Sequence, residues 1–352
     1  MATTSQPKAV AISFSQNRRY VLRSRPTHLA GPDTYELERH PIPTPEDGQA
    51  LVAIELAALS AWQGMRTKDF KNFIRPFDIG EMIDCDVFGR VIESRCDALP
   101  EGTTVYGRLG WQDFALVTPE TVSIASPDFT GEEWMTALAS PGQTPHLAYT
   151  QKTRLMPGLT LAVTSAAGAL GSYAVQLGLL GGMRVVGIAG GAEKVEFVRD
   201  TLGADAAVDY KADDFADALA AACPDRVDLF FDTVGGPTAD GVLDNLAMYA
   251  QVLLVGRVYS NNSPDPEQDP ANMRQVWSRE ATVHAFNRYA YKHLYGYTIE
   301  RLGELLRAGK LTMHNNFVDG FEQTPTALNG LLSGRFIGKV LVRYGDADGN
   351  RI

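Results

Sequence analysis

Short apolar runs alternate with longer segments of mixed polarity from Leu159 to about Val258. The run Leu159–Ser165 predicts a buried strand, and the Gly- and Ala-rich residues after it predict a turn and then a helix to about Leu180. Further strands are predicted at 183–190, 204–210, 226–234 and 250–258, with helices at 192–203, 213–223 and 238–249. Strands that alternate with helices of this length predict a parallel sheet covered on both faces, which is the doubly wound α/β fold.

The first 150 residues have a different pattern, in which short apolar runs are separated by Gly and Pro. The continuous apolar run Leu51–Ser60 predicts a buried strand. Residues with β-branched and aromatic side chains predict further strands at Asp86–Ser94 and within Thr103–Pro119. Several short strands with such turns indicate a compact, barrel-like β-rich domain. A loop with three prolines, Pro41–Gly48, precedes it.

The remainder of the chain predicts a long exposed loop, one helix and a final strand. The polar, Pro-rich residues Ser260–Met273 predict the loop, which in a compact domain is usually functional or mobile. Tyr297–Lys310 has the spacing of an amphipathic helix, and Ile337–Tyr344 has the composition of a last strand. The residues from Gly345 onward are predicted to form a frayed tail.

The composition is that of an ordinary globular protein. The chain has 352 residues, of which 45% are hydrophobic and 21% charged, and this is enough for two domains with their own cores. Its net charge of −10 argues against nucleic acid or an anionic membrane as the main partner. Three cysteines without a CxxC pair argue against a disulfide framework and against a Cys-rich zinc site.

Two segments bear on the location of the protein. Leu159–Met183 carries no charged residue and is long enough to span a membrane. Its five glycines and its hydroxyl and amide side chains favour instead a buried strand, turn and helix. Met1–Lys8 has no apolar stretch of the kind found in signal peptides, so we expect a cytoplasmic protein.

The turn after the first wound strand carries the strongest functional signal. In Ser165–Ser172, the residues Ala166, Gly168 and Gly171 occupy the three glycine positions of GxGxxG. The second position lets the backbone approach a pyrophosphate, and the third lets the helix pack closely on the strand. The helix predicted to begin near Ala169 offers its amide groups and dipole to the phosphates. A purely structural turn is the alternative, but the strand before it and the helix after it favour dinucleotide binding.

The end of the second strand distinguishes the two nicotinamide dinucleotides. An NAD site has Asp or Glu there to bind the ribose 2′-hydroxyl, whereas this chain has Ala189–Gly191. Lys194 follows within one turn and could bind a 2′-phosphate, or be an ordinary surface lysine. Glu193 is acidic, but at a helix start we expect it to cap the helix or face solvent. Tyr210, at the end of the third strand, either lies near the adenine ribose or is only a packed aromatic residue. The missing carboxylate and the nearby Lys194 together predict NADP(H) as the cofactor.

These segments resemble the medium-chain dehydrogenase/reductase superfamily. They are most similar to its zinc-free branch of prostaglandin reductases (leukotriene B4 12-hydroxydehydrogenases) and alkenal double-bond reductases. The resemblance covers nearly the whole chain, and the segments that carry it include SRP (Ser24–Pro26), SAAGALGS (Ser165–Ser172), AGGAEK (Ala189–Lys194) and FDTVGG (Phe231–Gly236). It implies a GroES-like β-rich domain at 1–150, completed by about 315–352, and a Rossmann NADP-binding domain at 151–314. It also implies an active cleft between the domains and a homodimer joined through the nucleotide domains.

The resemblance further implies which residues contact the cofactor and the substrate. The cofactor residues are Ala167, Gly168, Ala169, Leu170, Gly171, Gly190, Lys194, Tyr210, Thr233, Val255 and Arg257. The substrate residues are Trp62, Arg66, Phe286 and the loop 257–262, which includes Asn261. Trp62 and Phe286 fit equally well as core residues. Phe336 replaces an Asn of the family's GxNxGK segment, which removes one expected polar contact with the cofactor.

The metal site of the zinc-dependent relatives is altered in this sequence. Those relatives hold zinc with a Cys or Asp, a Gly-His-Glu segment and a later Cys or Asp. The corresponding segment here, Gly80–Arg90, contains no His. Cys85 and Asp86 could be ligands, but buried strand residues are the favoured interpretation, and no metal is predicted. Alcohol oxidation then lacks its Lewis acid, whereas hydride addition to a conjugated C=C bond needs only a stabilised enolate oxygen and a proton.

The chain departs from the family pattern at the residues that polarise the substrate carbonyl. Gly64 replaces the usual tyrosine of a SVDPYMR-like segment, and Asn261 replaces a second tyrosine after the fifth strand. Tyr259, two residues earlier, is therefore the predicted hydrogen-bond donor and catalytic residue, although it could be a loop aromatic packed on the cleft wall. Tyr289, Tyr291, a ribose hydroxyl of the cofactor and water are the other candidate donors.

The predicted function is reduction of the C=C bond of α,β-unsaturated aldehydes or ketones, with hydride transfer from NADPH to the β-carbon. A zeta-crystallin-like NADPH quinone reductase is a second hypothesis, and a zinc-independent carbonyl reductase is a third. A non-catalytic NADPH-binding protein of the same fold is a fourth, and the departures at Gly64, Asn261 and Phe336 support it. The saturated product distinguishes the first hypothesis from the others.

Overall fold

A computed structural model describes residues 15–69, 74–262 and 272–345 of the chain. Up to residue 152 the strands are β1 (Asn17–Leu22), β2 (Tyr35–His40), β3 (Ala50–Leu59), β4 (Asp86–Ser94), β5 (Thr104–Arg108), β6 (Phe114–Val117) and β7 (Val122–Ile124). The helices in this part are α1 (Ala61–Arg66), α2 (Gly131–Met135) and α3 (Ser140–Lys152).

The second part of the chain alternates between strands and helices. Its elements are β8 (Thr160–Thr164), α4 (Ala169–Leu180), β9 (Arg184–Ala189), α5 (Ala192–Glu196), β10 (Ala206–Asp209), α6 (Phe215–Ala222), β11 (Val227–Asp232), α7 (Gly236–Asp244), β12 (Leu246–Leu254), α8 (Val258–Asn262), α9 (Met273–Ser278), β13 (Thr282–Ala285), α10 (Tyr295–Arg307), β14 (Asn315–Asp319), α11 (Thr324–Leu332) and β15 (Lys339–Arg343). Short helical turns lie at Pro32–Thr34, Phe197–Thr201, Arg288–Leu294 and Phe321–Gln323.

The parallel sheet has the strand order β10-β9-β8-β11-β12-β13, in which every neighbouring pair is parallel. This order reverses direction between β8 and β11, as in a Rossmann fold, and such folds bind ligands at that reversal. The strand β8 is buried along its whole length, which explains its continuous apolar sequence. Gly178 of α4 lies against Leu161 of β8, so the helix packs closely on the sheet. The predicted doubly wound fold is confirmed.

The β-rich sheet takes strands from both ends of the chain. Its order is β14-β15-β3-β4-β5-β7, and β6 pairs with β3. The last strand, β15, runs antiparallel to β3, with Val340 opposite Leu59. Ile54 of β3 and Trp111 are completely buried in one hydrophobic cluster of this sheet, and Phe114 of β6 is completely buried in another. The β-rich domain predicted for the first part of the chain is therefore present.

Some predicted boundaries are wrong. The helix expected over 238–249 ends at Asp244, because Leu246 already pairs with Val227 in the parallel sheet. The strand expected to reach Val258 ends at Leu254, and Val258 begins α8. Within the loop expected at 260–273, residues 263–271 lie outside the described part. The predicted tail lies almost entirely outside it as well.

Among the described residues, none of the helices combines the length and the apolar character that a membrane crossing requires. The uncharged stretch that begins at Leu159 is instead β8, a turn and α4, as the sequence predicts.

Candidate active site

The turn between β8 and α4 is tightly built, with little space at Gly168 and none for a side chain at Gly171. A Cβ at Gly168 would lie 2.7 Å from the Ser165 Oγ atom, and one at Gly171 would lie 2.1 Å from the Ser165 carbonyl oxygen. Gly168 is the N-terminal cap of α4, and the helix begins at Ala169. The first backbone amides of a helix have no partner within it and carry its positive dipole end. This turn therefore forms a cradle that fits a pyrophosphate.

The loop after β9 presents glycine backbone where an NAD-binding protein carries an acidic side chain. A Cβ at Gly190 would lie 2.6 Å from the Tyr210 ring and 3.0 Å from the Lys211 Cε atom. Asp209, at the end of β10, accepts hydrogen bonds of 2.9 Å from the backbone amides of Gly191 and Lys211. These bonds lower the pKa of the Asp209 carboxyl. The Asp209 side chain therefore holds the loop in place.

Two lysines, Lys194 and Lys211, lie beside this loop. Burial lowers the pKa of Lys194, the positive charge of Lys211 lowers it further, and Glu193 opposes both effects. The ammonium of Lys194 also donates a hydrogen bond of 2.6 Å to the carbonyl oxygen of Gly334. Two cations beside a glycine loop fit the 2′-phosphate of NADP(H), because the phosphate relieves their mutual repulsion. Lys194 is a predicted cofactor residue, whereas Lys211 was not predicted, and its place directly after Tyr210 is its only sequence signal.

The segment just before β15 contacts the phosphate cradle. The backbone amide of Gly338 donates a hydrogen bond of 2.7 Å to the Ala167 carbonyl oxygen, and Gly338 forms a parallel bridge with Gly168. Gly338 has φ +76°, and a Cβ there would lie 2.1 Å from the His314 carbonyl oxygen. Phe336, which replaces the Asn of the family pattern, packs on Gly330. The β-rich domain and the cradle are therefore joined through backbone atoms.

A buried aspartate organises the ends of β8 and β11. Asp232 is 1% exposed, and its carboxylate accepts hydrogen bonds from Thr164 Oγ1 at 2.8 Å and from the Val234 and Gly235 amides at 2.9 and 3.1 Å. Burial raises the pKa of Asp232, and these three donors oppose that rise. The amide of Thr233 donates in turn to Thr164 Oγ1 at 3.0 Å. This network fixes Thr233 at the reversal of the sheet, where it was predicted to contact the cofactor.

The network also positions Tyr259. The amides of Val258 and Tyr259 donate to the carbonyl oxygens of Thr233 and Val234, at 3.2 and 2.9 Å. The Tyr259 ring lies against Gly236, which has φ +59° and whose Cβ would come within 2.4 Å of the ring. The side chain remains 39% exposed. Tyr259 is thus held at the carboxyl end of the sheet and is partly exposed.

The neighbours of Tyr259 connect α8 to the β-rich domain. The ammonium of Lys68 donates a hydrogen bond of 2.9 Å to the Asn261 carbonyl oxygen. Arg257 donates to the Ser260 hydroxyl at 3.4 Å. Val255, a predicted cofactor residue, is held by its amide, which donates to the Asp232 carbonyl oxygen at 2.8 Å. The short helix α8 therefore carries Tyr259 and Asn261, and Arg257 directly precedes it.

The predicted substrate residues have unequal surroundings. Arg66 is buried, and its guanidinium lies 3.0 Å from the Asp84 carboxylate and 3.8 Å from the centre of the Phe77 ring. Its place in this ion pair favours a role in supporting α1 over contact with substrate. Trp62 is half-buried, with the Arg108 guanidinium 4.4 Å from its ring centre. Phe286 is buried and stacks on Tyr291, with 5.4 Å between the ring centres.

The packing of α1 leaves no room for the tyrosine that family members usually have at the position of Gly64. A Cβ at Gly64 would lie 2.6 Å from the Leu332 Cδ1 atom of α11. The helices α1 and α11 therefore approach each other more closely than a large side chain at this position would allow.

Comparison with known proteins agrees with this geometry. A family model described as "N-terminal domain of oxidoreductase" matches residues 18–124, and one described as "Zinc-binding dehydrogenase" matches residues 169–304. The NADPH-dependent curcumin reductase of Escherichia coli (strain K12) is 32% identical over 342 residues, which is 95% of this chain and 98% of that protein. The chain belongs to the medium-chain dehydrogenase/reductase family.

Two further medium-chain dehydrogenases/reductases are similar over most of their length. The 2-alkenal reductase (NADP(+)-dependent) of Nicotiana tabacum is 30% identical over 302 residues, which is 84% of this chain and 88% of that protein. The crystal structure of CurA in complex with NADPH from Vibrio vulnificus has a TM-score of 0.88 and 31% identity, and covers 94% of this chain and 99% of that one. The family and branch predicted from the sequence are confirmed.

The buried ammonium of Lys339 lies near the segment that carries zinc ligands in zinc-dependent medium-chain dehydrogenases/reductases. Lys339 donates hydrogen bonds of 2.8 Å to the Leu59 carbonyl oxygen and 2.9 Å to the Ser60 Oγ atom. Burial lowers the pKa of Lys339 to about 8, against the opposing effects of Asp86 and Cys85. Burial also raises the pKa of the Cys85 thiol to about 12. In the described part of the chain, no three His, Cys, Asp or Glu side chains are grouped as a metal site.

Proposed function

We propose that this protein uses NADPH to reduce the C=C bond of α,β-unsaturated aldehydes or ketones. The protein is an NADP-dependent oxidoreductase of the enone and alkenal reductase family. The observation that carries the proposal is that Lys194 and Lys211 lie beside the glycine loop after β9, in a chain that matches an alkenal reductase along 84% of its length. A 2-alkenal is an aldehyde conjugated to a C=C bond, and the proposed substrate class follows from that likeness.

The cradle and the two lysines would hold the two phosphate-bearing parts of NADPH. The amides at the start of α4 would bind the pyrophosphate, and Lys194 and Lys211 would bind the 2′-phosphate. Gly338, through its bond to Ala167, keeps the cradle in contact with the β-rich domain. When bound, NADPH supplies the hydride that adds to the β-carbon of the substrate.

Tyr259 acts on the substrate oxygen in this proposal. Hydride addition at the β-carbon moves the π electrons of the C=C bond toward the carbonyl and places negative charge on its oxygen. A hydroxyl that donates a hydrogen bond to this oxygen stabilises the enolate, and electrostatic stabilisation of this kind lowers the barrier. A proton from Tyr259 or from solvent then adds at the α-carbon and gives the saturated carbonyl compound.

Product analysis with the purified protein tests the proposal. NADPH and NADH are each offered with a 2-alkenal, a 2-enone and a benzoquinone, and the products are identified as well as the loss of reduced cofactor. We expect saturated aldehyde and ketone, with NADPH preferred. Hydroquinone as the sole product would replace the proposal with quinone reduction, and an allylic alcohol would replace it with carbonyl reduction. Tight NADPH binding without any product would favour the non-catalytic hypothesis.

A further inference from the structure

A pocket of about 350 Å³ lies between β5 and the segment that leads into α10. Tyr106 and Arg108 of β5 form one wall, and Arg288, Tyr289 and Tyr295 form the other. Asp86, Trp134, Gln143 and Lys292 also line it. Its size is within the range of sites that hold small organic molecules.

The walls of this pocket are aromatic. Tyr106 stacks on Trp134 with 6.3 Å between the ring centres. The Arg288 guanidinium lies 5.1 Å from the centre of the Tyr289 ring and 4.7 Å from that of Tyr295. A flat ring is therefore the group that the walls accommodate best.

The charges in the pocket do not balance. Arg108 is paired with Asp84 at 3.2 Å and with Asp86 at 3.9 Å. Arg288 donates a hydrogen bond of 2.8 Å to the neutral Gln143 Oε1 atom. Within the described residues, neither Arg288 nor Lys292 forms an ion pair with an acidic side chain. Two cations thus face a pocket in a protein whose net charge is −10, and their local field attracts an anion.

The pocket adjoins the predicted substrate residues. Arg108 lines the pocket, and its guanidinium lies over the ring of Trp62. The same side chain donates a hydrogen bond of 2.9 Å to the Tyr289 hydroxyl. Tyr291, two residues beyond Tyr289, stacks on Phe286. A substrate in contact with Trp62 or Phe286 can therefore extend one end into the pocket.

We propose that this pocket binds the aromatic end of the substrate and that its two uncompensated cations select a ring carrying a carboxylate. The inference rests on the proposed function, because it names the part of the enone that lies away from the reacting bond. The tyrosine and tryptophan rings contact the arene, and Arg288 and Lys292 bind the carboxylate.

The experiment compares an acid with its neutral ester. The substrates are 4-(3-oxobut-1-enyl)benzoate and its methyl ester, and the measured quantity is the ratio of their kcat/KM values with NADPH. We expect the acid to be preferred by about tenfold at low ionic strength, because a hydrogen bond to a charged group contributes about that much. The preference should be smaller at high salt, which screens the charges. Equal kcat/KM values for acid and ester would overturn the inference while leaving enone reduction intact. NADPH binding without reduction of either substrate or of a simple 2-alkenal would overturn the proposed function itself.

Two variants and a control assign the preference to the pocket. Arg288→Gln is expected to lower the acid-to-ester ratio by about tenfold, and Lys292→Met by about threefold because that lysine is exposed. Lys310→Met removes an exposed lysine beyond the far end of α10 and should leave the ratio unchanged. If Arg288→Gln fails to fold, Lys292→Met still decides. A ratio that stays at the wild-type value in Lys292→Met and every folded pocket variant would overturn the inference.

Discussion

The Lys194 ammonium donates a hydrogen bond of 2.6 Å to the carbonyl oxygen of Gly334. Lys194 follows β9 of the parallel sheet, whereas Gly334 lies just before β15 of the β-rich sheet. The proposed 2′-phosphate site is therefore assembled from both parts of the chain. Cofactor binding at this site and the contact between the two sheets are coupled through one side chain.

The first prediction concerns the preference for NADPH. Lys211→Met should raise the KM for NADPH about tenfold, since a charged hydrogen bond to phosphate is lost, and should leave the KM for NADH unchanged. Lys194→Met should do the same and also loosen the contact with Gly334. Steady-state kinetics with both cofactors measure the effect, with Lys310→Met as the matched control. An equal loss with NADPH and NADH would place the 2′-phosphate elsewhere.

The second prediction concerns the hydroxyl of Tyr259. Tyr259→Phe keeps the ring that packs on Gly236 and removes the proposed donor, so kcat should fall by about 100-fold while the KM for NADPH stays the same. Tyr249→Phe removes an exposed hydroxyl from β12 and should have no effect. An unchanged kcat in Tyr259→Phe would transfer the role to Tyr289, Tyr291, the cofactor ribose or water.

The third prediction concerns the backbone contact at Gly338. Gly338→Ala combines a positive φ with a clash against the His314 carbonyl oxygen, and should lower the free energy of unfolding by about 3 kcal/mol or more. Gly309 has φ +62° with open space around it, so Gly309→Ala should cost only about 1 kcal/mol. Urea unfolding measures both changes. Gly338→Ala should also raise the KM for NADPH, because the cradle at Ala167 must shift. Equal losses of unfolding free energy in Gly338→Ala and Gly309→Ala would contradict the steric argument.

The fourth prediction concerns the buried ammonium of Lys339. Its pKa is about 8 in the folded protein against 10.5 for an ordinary lysine, so between these values the unfolded chain binds the extra proton. The wild type should therefore gain stability relative to Lys339→Met as the pH rises through this window. The gain should reach about 2 kcal/mol by pH 9.5. Unfolding free energies of both proteins at pH 7.5 and 9.5 give the difference, and parallel changes would show that the ammonium has no such shift.

The alternation of strands and helices was predictable because the central strands β8, β9 and β11 are almost entirely buried and so have nearly continuous apolar sequences. The helix expected over 238–249 was too long, since the apolar residues after Asp244 fit a helix as well as a strand. What ends the helix is the pairing of Leu246 with Val227, a contact between strands that no local pattern contains.

The candidate site was predictable where its chemistry lies in one segment, as in the turn at Gly168. It was not predictable where distant residues meet. Lys211 comes to lie beside the loop after β9 because β9 and β10 are neighbours, and Lys339 comes to lie near Cys85 because β15 pairs with β3. The ion pair between Arg66 and Asp84 likewise depends on packing that the sequence does not display.

The position of β15 has a consequence for how the protein is made. β15 pairs with the Leu56–Leu59 half of β3, yet it leaves the ribosome only after the entire parallel sheet has been synthesised. Until then that half of β3 exposes unpaired backbone groups along one edge, which are a site for wrong pairing with other chains. The parallel sheet has all its strands by Ala285 and can form earlier. The β-rich domain is therefore completed last. Premature termination before Lys339 would yield a chain with a formed nucleotide domain and an incomplete β-rich domain that is prone to aggregate.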